Sequence, residues 1–246
     1  MISVCIPTYN GEKYIKAQLD SIIPQLGAAD EIIISDDGST DKTIEIINGY
    51  HDDRIKMFVY ERTRKSNFFS FYKITQNIEN ALNHAAGDFI FLADQDDVWT
   101  NDKIVVALSK IGDNLCLLHD CTITDEGGRE LMSSYFRQNN SKLGIAANLM
   151  NCSYLGCCMV FRKELLKTAL PFPAIPVPHD IWLGLLAEYS GRIKMIDNRL
   201  LHYRRHASNQ STSGEKSGTG FIYRVCYRFN IVRALLLRIL KKIFCP

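Results

Sequence analysis

Residues 89–99, FIFLADQDDVW, are the stretch that decides the fold of this chain. The first four, Phe89–Leu92, are apolar and predict a short buried β-strand. The strand runs directly into three aspartates, Asp94, Asp96 and Asp97. Ionised carboxylates repel one another and resist burial, so such a cluster costs folding free energy unless a cation neutralises it. Because Mg²⁺ and Mn²⁺ prefer oxygen ligands, the pattern indicates a site for a metal-bound diphosphate at the end of this strand.

The acidic stretch also has a simpler interpretation, in which it caps the helix that follows. Asp97 or Asn101 would then accept a hydrogen bond from the first turn of that helix. Short motifs often match by chance, and the residue types alone favour capping. The position favours a ligand site, because open α/β sheets bind ligands at the carboxyl ends of their strands. Both interpretations stay open at this level.

Strands and helices alternate through the first 100 residues. Apolar, β-rich runs predict strands over 2–6, 31–35, 55–60 and 89–92, and helix-spaced runs predict helices over 14–24, around 44–47 and over 71–85. The turn after the second strand contains Gly38, which permits a tight turn, and Ser39 or Thr40, which is predicted to cap the next helix. This alternation indicates an α/β domain with a Rossmann-like, mostly parallel sheet and helices on both faces.

Polar residues follow three of the predicted strands at the point where each strand ends. Tyr9 follows the first strand, Asp36 and Asp37 follow the second, and the aspartate cluster follows the fourth. The carboxyl ends of parallel strands lie along one edge of the sheet and face one crevice. A single acidic turn is common, but three polar turns at one edge predict a binding site.

The second half of the chain has a different pattern. Strands are predicted over 115–119 and 200–203, and short helices over 146–150 and 163–168. A proline-rich loop at 171–178 leads to His179 and Asp180, which open a helix to about residue 189. Considered alone, this pair is more typical of a helix N-cap than of a catalytic site. Residues 207–220 are rich in Ser, Thr and Gly and are predicted to be mobile.

Charge is unevenly distributed along the chain. The length of 246 residues suits one large or two small globular domains. The net charge of +2 does not suggest nucleic-acid binding. Six of the 29 basic residues lie in the last 26 residues, a segment without any acid. Phe221–Phe244 has helical periodicity with a basic sector, which predicts a basic amphipathic helix on an anionic membrane surface. A helix that packs on the body, or that forms a dimer contact, is the alternative.

The cysteine pattern indicates the redox state of the compartment and whether the chain has a structural zinc site. There are eight cysteines and no CxxC pair, which argues against a structural zinc site. The chain begins in a strand without a charged and then apolar leader, and it has no run of about 20 apolar residues. We therefore expect free thiols in a reducing cytosol and no membrane span.

Six ordered motifs resemble glycosyltransferase family 2. They are CIPTYNGEKYI at 5–15, SDDGSTDKT at 35–43, ADQDDVW at 93–99, GCCMVFRK at 156–163, PHDIWL at 178–183 and YRRHASNQS at 203–211. The DQDDVW and HDxW forms are similar to those of bacterial rhamnosyltransferases and β-1,3-hexosyltransferases. The resemblance implies a GT-A fold over 1–211, with a nucleotide-sugar half at 1–100 and an acceptor half at 101–211. Residues 212–246 would then be a mobile linker and the basic helix.

The resemblance also implies roles for individual residues. By this comparison Pro7, Tyr9, Asp36, Asp37, Asp94, Asp96 and Arg205 bind the nucleotide sugar, Asp96 and His206 hold Mn²⁺ or Mg²⁺, and Asp180 is the catalytic base. Each role has a plainer alternative in the residues themselves. Tyr9 also suits the rim of a core, one aspartate of the pair at 36–37 suits a helix cap, and His206 suits a solvated surface.

The implied activity is an inverting, metal-dependent transfer of a hexose, such as rhamnose, glucose or galactose, in the synthesis of bacterial surface polysaccharide such as O-antigen or capsule. The acceptor would be a glycan or an undecaprenyl-diphosphate-linked oligosaccharide at the cytoplasmic face of the inner membrane. A sugar-1-phosphate nucleotidyltransferase is a second hypothesis, but that class opens with a Gly-rich loop bearing Arg and Lys, which PTYNGEKY is not. An inactive nucleotide-sugar-binding protein is the third.

Overall fold

The computed structural model describes residues 1–61, 69–206, 209 and 221–244. In this part of the chain nine strands form one sheet. They are β1 Ile2–Thr8, β2 Glu31–Asp36, β3 Ile55–Val59, β4 Phe89–Leu92, β5 Val98–Trp99, β6 Cys116–Thr124, β7 Glu130–Met132, β8 Met159–Arg162 and β9 Ile193–Arg204. Their spatial order is β3-β2-β1-β4-β8-β6-β9-β5, and β7 pairs with β6. Because β5, β7 and β8 run against the other six strands, the sheet is mostly parallel, as predicted.

Helices flank this sheet. They are α1 Ile15–Ile22, α2 Thr43–Asn48, α3 Phe71–His84, α4 Lys103–Ile111, α5 Tyr135–Asn139, α6 Ile145–Met150, α7 Leu166–Ala169, α8 His179–Tyr189 and α9 Phe221–Phe244. Strands β1, β2 and β4 are almost completely buried, which explains why they are continuous apolar runs in the sequence. The α/β fold with a C-terminal helix is therefore confirmed.

The carboxyl ends of β1, β2 and β4 meet at one edge, as the sequence predicts. In the parallel register Thr8 pairs with Asp36, and Cys5 pairs with Leu92. The chain after β4 continues beside β1, because the Ala93 N–H donates to the Cys5 carbonyl at 3.0 Å. The turn that carries the aspartates consequently lies beside the turn that follows β1.

Both capping predictions are wrong. Helix α4 begins at Lys103, and Asp97 instead accepts a hydrogen bond from the Arg204 N–H at 3.0 Å. Helix α2 begins at Thr43, whose N–H donates to Asp41 at 3.0 Å, so neither Ser39 nor Thr40 is its cap. The capping interpretation of the acidic stretch is thereby removed.

Two strands of the second half are longer than predicted. Strand β6 extends beyond the predicted segment 115–119 to Thr124 and includes the buried polar residues Asp120 and Thr122. Asp120 is satisfied there because its carboxylate accepts hydrogen bonds from the Ser134 hydroxyl and the Phe136 N–H. Strand β9 begins at Ile193, seven residues before the predicted start, and its central residues are mostly exposed. Apolar periodicity does not detect either extension.

The C-terminal helix packs on the body of the protein. Ile231, Ala234 and Leu235 are buried against it. Arg228 donates to the carbonyls of Leu149 and Met150, so this arginine of the predicted basic sector faces the protein and not a membrane. None of the helices in the described residues combines the length and apolarity that crossing a bilayer requires. The predicted mobility of 207–220 falls outside the described residues, apart from residue 209.

Candidate active site

A cavity of about 440 Å³ lies at the carboxyl ends of β1, β2 and β4. Six of the nine site residues predicted from the sequence line it, namely Pro7, Tyr9, Asp37, Asp94, Asp96 and His206. Among the described residues, Asp36, Arg205 and Asp180 do not line it. The backbone N–H of Arg205 donates to the Thr124 carbonyl at 2.8 Å, which ties this residue to the end of β6.

The neighbouring aspartates Asp36 and Asp37 have different environments. Asp36 is fully buried, and its carboxylate accepts hydrogen bonds from the Thr8 hydroxyl at 2.8 Å and from the Ser39 hydroxyl at 2.6 Å. The Ser39 N–H adds a third hydrogen bond at 2.7 Å, so Asp36 shapes the turn after β2. Asp37 is partly exposed and lines the cavity. The carboxylate of this pair that a ligand can reach is therefore that of Asp37.

Tyr9 stands at the rim of the cavity with half of its surface exposed, 50%. Its N–H donates to Gln95 Oε1 at 2.9 Å, and Gln95 Nε2 donates back to the Tyr9 carbonyl at 3.1 Å. A Cβ atom at Gly11 would lie only 2.5 Å from Gln95 Oε1, so the glycine leaves room for this side chain. These contacts fix the tyrosine relative to the acidic turn.

Charge accumulates on the floor of the cavity. Burial, reinforced by the charges of Asp96 and Asp180, raises the pKa of Asp94 to about 7. Burial and the charges of Asp96 and Asp94 hold the pKa of Asp97 well above its usual range. A cation placed beside these carboxylates would be attracted for the same reason that a proton is.

A buried lysine lies beside the acidic turn. Lys103 is fully buried, and its Nζ donates to the Cys157 carbonyl at 2.8 Å and lies 4.0 Å from the centroid of the Trp99 ring. Burial lowers the pKa of Lys103. The Lys103 ammonium also acts to lower the pKa of Asp94, but burial and the charges of Asp96 and Asp180 raise that pKa by more. Lys103 therefore supplies positive charge below the cavity floor.

Within the described part of the chain, two groups of side chains have the donor atoms for a metal ion. In the first, Asp96 Oδ2 lies 2.8 Å from His206 Nε2 and accepts a hydrogen bond from Asn209 Nδ2 at 3.3 Å. In the second, ligand atoms of Asp94, Asp97 and Cys157 lie within 4.8 Å of one another.

The first group fits a divalent ion that also reaches a ligand in the cavity. Neighbouring ligands of an ion bound at about 2.1 Å are about 3 Å apart, close to the spacing of Asp96 and His206. Asp96, His206 and Asn209 all line the cavity and offer a carboxylate, an imidazole and an amide. In the second group Asp97 is fully buried and one of its oxygens is already bonded to the backbone of Arg204. The donor set of the first group suits Mn²⁺ or a similar first-row ion.

The imidazole of His206 is held in place from its ring face. The ring stacks on Tyr14 with centroids 4.4 Å apart, and only 5% of the His206 side chain is exposed. The Tyr14 hydroxyl donates to Glu126 at 2.7 Å, and the Arg204 guanidinium lies 5.3 Å from the Tyr14 ring. Side chains from three separate segments thus orient one metal-ligand candidate.

Asp180 occupies the first turn of α8, and its Oδ1 accepts the N–H of Ile181 at 2.7 Å. The carboxylate is partly exposed. Its charge is among the causes that raise the pKa of Asp94, which places both groups in one electrostatic environment. The preceding His179 packs against Gly156, where a Cβ atom would lie 2.6 Å from His179 Nε2.

Sequence reasoning missed several residues of the site, among them Tyr14, Gln95, Lys103 and Asn209. Gln95 lies inside the motif ADQDDVW, and Asn209 lies three residues after His206 in the motif YRRHASNQS. Spacing within those motifs was therefore a usable signal for both. Neither the stacking of Tyr14 nor the burial of Lys103 has a signal in the local sequence, because each depends on contacts between distant segments.

The amino-acid sequence is similar to known glycosyltransferases over most of its length. The profile of glycosyl transferase family 2 matches residues 3–170. WfgD of Escherichia coli, a UDP-Glc:α-D-GlcNAc-diphosphoundecaprenol β-1,3-glucosyltransferase, is 27% identical over 228 residues, which are 88% of this chain and 81% of WfgD. TuaG of Bacillus subtilis, a putative teichuronic acid biosynthesis glycosyltransferase, is 27% identical over 244 residues, which are 95% of this chain and 91% of TuaG.

Solved structures agree on the fold. TarS of Staphylococcus aureus, residues 1–349, is 25% identical with a TM-score of 0.62, and the match covers 82% of this chain and 60% of that structure. Glucosyl-3-phosphoglycerate synthase of Mycobacterium tuberculosis, solved with Mn²⁺, uridine diphosphate and phosphoglyceric acid, has a TM-score of 0.56 at 19% identity, covering 97% and 78% of the two chains. The chain belongs to glycosyl transferase family 2 and has the GT-A fold.

Proposed function

We propose that this family 2 glycosyltransferase moves a hexose from a nucleotide-diphosphate sugar to a glycan or lipid-linked oligosaccharide with inversion at the anomeric carbon. The observation that carries the proposal is the cavity that has Tyr9 and Asp37 at its rim and the Asp96–His206 pair at its floor. An aromatic ring, a carboxylate and a cation site suit the base, the ribose and the diphosphate of such a donor. The name of WfgD, a glucosyltransferase with a lipid-linked acceptor, supports the same class of reaction.

In this proposal each end of the cavity recognises one part of the donor. The ring of Tyr9 lies against the nucleotide base, and Asp37 accepts hydrogen bonds from the base or the ribose. Asp94 helps to hold the ribose or the metal ion, since it lines the same cavity two residues before Asp96. Asp96 and His206, with Asn209, hold Mn²⁺ or Mg²⁺ against the diphosphate. When bound, the ion neutralises the negative charge that develops on the leaving diphosphate.

Asp180 is the proposed catalytic base. The acceptor hydroxyl oxygen forms a bond to the anomeric carbon while the bond from that carbon to the diphosphate oxygen breaks. The hydroxyl proton moves to the Asp180 carboxylate, and the nucleoside diphosphate leaves with the bonding electrons. A single displacement from the face opposite the leaving group inverts the anomeric configuration. This assignment needs only one base and one cation site, which the proposed roles supply.

The acceptor is proposed to reside at a membrane surface, and α9 is proposed to contact that surface. The outward side of the helix is apolar and comprises Ile222, Val225, Phe229, Val232, Leu236, Leu237, Leu240 and Phe244, each at least 37% exposed. Exposed Arg224, Arg233 and Lys241 accompany these residues, and the segment has no acid. Apolar side chains with cationic neighbours suit the interface of an anionic bilayer. Sedimentation with anionic vesicles should be reduced by Phe229→Ser, and unchanged sedimentation would contradict this contact.

Product analysis tests the proposed reaction. Incubation with UDP-glucose, UDP-galactose or dTDP-rhamnose and Mn²⁺ should release the nucleoside diphosphate, whereas a nucleotidyltransferase would produce or consume pyrophosphate. Asp180→Asn should lower transfer at least about a hundredfold, the range that a general base contributes, and leave metal-dependent donor binding intact. Loss of donor binding in Asp180→Asn would show that the residue is structural. Pyrophosphate as the product would overturn the reaction class.

A further inference from the structure

The C-terminal helix is anchored to two segments of the body, one of which leads into the helix that carries the proposed base. Arg228 on α9 donates through Nε to the Leu149 carbonyl at 2.8 Å and through Nη2 to the Met150 carbonyl at 2.9 Å. Two residues later, Asn230 Nδ2 donates to the Pro176 carbonyl at 3.3 Å. Pro176 lies in the loop that leads directly into α8, four residues before Asp180. The segment of α9 around these anchors therefore lies beside the start of α8.

Tyr227 lies next to these anchors, on the inward side of the helix. Its ring meets the edge of Phe71 with centroids 6.0 Å apart, and the side chain is partly exposed. One turn earlier Tyr223 packs on Phe69, with centroids 5.0 Å apart. Burial and the charges of Cys152 and Asp180 hold the pKa of the Tyr227 hydroxyl well above its usual range. The hydroxyl thus stays protonated near the base and is a hydrogen-bond donor, not a second base.

The two sides of α9 have different chemistry at the same level of the helix. Tyr227 packs against the core of the body and its hydroxyl lies within the field of the Asp180 charge, while Phe229, two residues later, is 64% exposed on the outward side. An amphipathic aromatic side chain offers an apolar ring and a polar tip, which suits a sugar with both apolar and hydroxyl-bearing faces. A membrane surface at the outward side and an acceptor sugar at the inward side would be in contact with one helix. That geometry favours an acceptor sugar that is anchored to the membrane by a lipid.

We propose that α9 forms one wall of the acceptor subsite, and that Tyr227 contacts the acceptor sugar of a lipid-diphosphate-linked substrate beside Asp180. This inference rests on the proposed function and adds a residue and a substrate class to it. The reacting bonds are those already described, and Tyr227 donates a hydrogen bond without giving up its proton. The tail is then part of the active site as well as a surface contact. Packing alone, with no contact to substrate, is the alternative role for Tyr227.

Kinetics with a defined acceptor distinguish these roles. The probe is N-acetylglucosamine linked through a diphosphate to a decyl chain, used with the full-length protein in detergent. Tyr227→Ala should raise the KM for this probe about tenfold, which is the effect expected from losing one good aromatic and polar contact. The donor KM and the slow release of nucleoside diphosphate without acceptor should stay unchanged. Tyr227→Phe keeps the ring and the packing, so it should raise the acceptor KM by a smaller factor.

Phe229→Ser is the matched control on the same helix. It should lower binding to anionic vesicles and leave the acceptor KM in detergent unchanged. An unchanged acceptor KM in both Tyr227 variants would overturn the proposal, and so would a wild-type protein that binds its donor but transfers no sugar to the probe. If Tyr227→Ala unfolds, Tyr227→Phe alone decides, because an acceptor KM equal to that of the wild type contradicts a hydroxyl contact. Absence of any donor binding would instead defeat the proposed function.

Discussion

At the scale of single residues, the acidic turn stores unfavourable electrostatic energy that a cation can relieve. The charges of Asp96, two residues later, and of Asp180 on α8 both disfavour ionisation of Asp94. The sequence predicted the cluster and its position correctly, because both follow from one strand and the turn after it. It did not predict Lys103, since a buried ammonium under the turn arises only when α4 packs against the chain at Cys157.

The pH dependence of stability should follow Asp94. Its pKa is about 7 in the folded protein, above the ordinary value of 3.8, so folding favours the protonated form. This contribution is fully present below pH 4 and is lost as the pH rises through 7. The melting temperature of the metal-free protein should therefore fall between pH 5 and pH 8. Mn²⁺ should restore more stability at pH 8 than at pH 6, because it competes with the proton.

Differential scanning calorimetry at several pH values, with and without Mn²⁺, measures this effect. Asp94→Asn is the control, since an amide has no proton to lose over this range and should flatten the curve. A melting temperature that is equally dependent on pH in Asp94→Asn would contradict the assignment to this carboxylate.

Substitution of two glycines by alanine should have different effects, one on donor binding and the other on stability. In Gly11→Ala the new Cβ meets the end of the flexible Gln95 side chain, so Gln95 should move and release its two hydrogen bonds to Tyr9. We expect weaker donor binding and little change in melting temperature. In Gly87→Ala the Cβ would lie 2.5 Å from the backbone N of Ser3, and overpacking should cost about 1–3 kcal/mol.

Thermal unfolding and donor titration of both variants check this contrast. An equal loss of stability in Gly11→Ala and Gly87→Ala would show that the Gln95 side chain cannot move away from the new Cβ atom. Donor binding that is unchanged in Gly11→Ala would show that Tyr9 does not depend on Gln95 for its position.

At the scale of elements, apolar periodicity predicted the strands that are buried on both faces and failed where polar side chains are buried. Strand β6 continues through His119 and Asp120, because hydrogen bonds from Ser134 and from the backbone satisfy the carboxylate of Asp120. Two of these partners, Ser134 and Phe136, lie on α5 and its cap, more than ten residues away in sequence. A local pattern has no access to such contacts, so strand ends in the second half were underestimated.

The C-terminal helix was predicted with the right bounds, but the sequence grouped arginines that have different surroundings. Arg238 donates to the carbonyls of Thr168, Leu170 and Pro171, and its guanidinium lies 5.1 Å from the centroid of the Trp182 ring. Arg224, from the same predicted basic sector, is exposed instead. Periodicity places residues on faces of a helix, but it does not say which face meets the protein.

Arg238→Ala should weaken the attachment of α9. Charge-assisted hydrogen bonds to otherwise unpaired carbonyls are worth about 1.5–3 kcal/mol, so we expect a lower melting temperature and faster proteolysis of the tail. Arg233→Ala is the matched control and should leave both unchanged. Limited proteolysis followed by mass spectrometry measures the release. Equal cleavage rates in the two variants would contradict the role of Arg238 as an anchor.

At the scale of the whole molecule, the chain joins an acidic cleft to a basic tail. The motifs at the ends of the first, second and fourth strands indicated the cleft, and the uneven distribution of charge indicated the tail. What they did not provide was the relation between tail and cleft, since α9 is separated in sequence from the helices that it contacts, among them α6 and α8. The shape of the sugar pocket is likewise a property of packed loops, and the sequence does not name the donor.

The central claim is that Asp96 and His206, together with a divalent cation, bind the diphosphate of an activated sugar. Isothermal titration of UDP-glucose, UDP-galactose and dTDP-rhamnose into the wild-type protein and Asp96→Ala, with Mn²⁺ and with EDTA, tests it most directly. We predict that at least one sugar binds the wild type with Mn²⁺, and that EDTA or Asp96→Ala weakens this binding at least about tenfold, the equivalent of one lost charge-assisted contact. No uptake of any of the three, or equal affinity with EDTA, would contradict the claim.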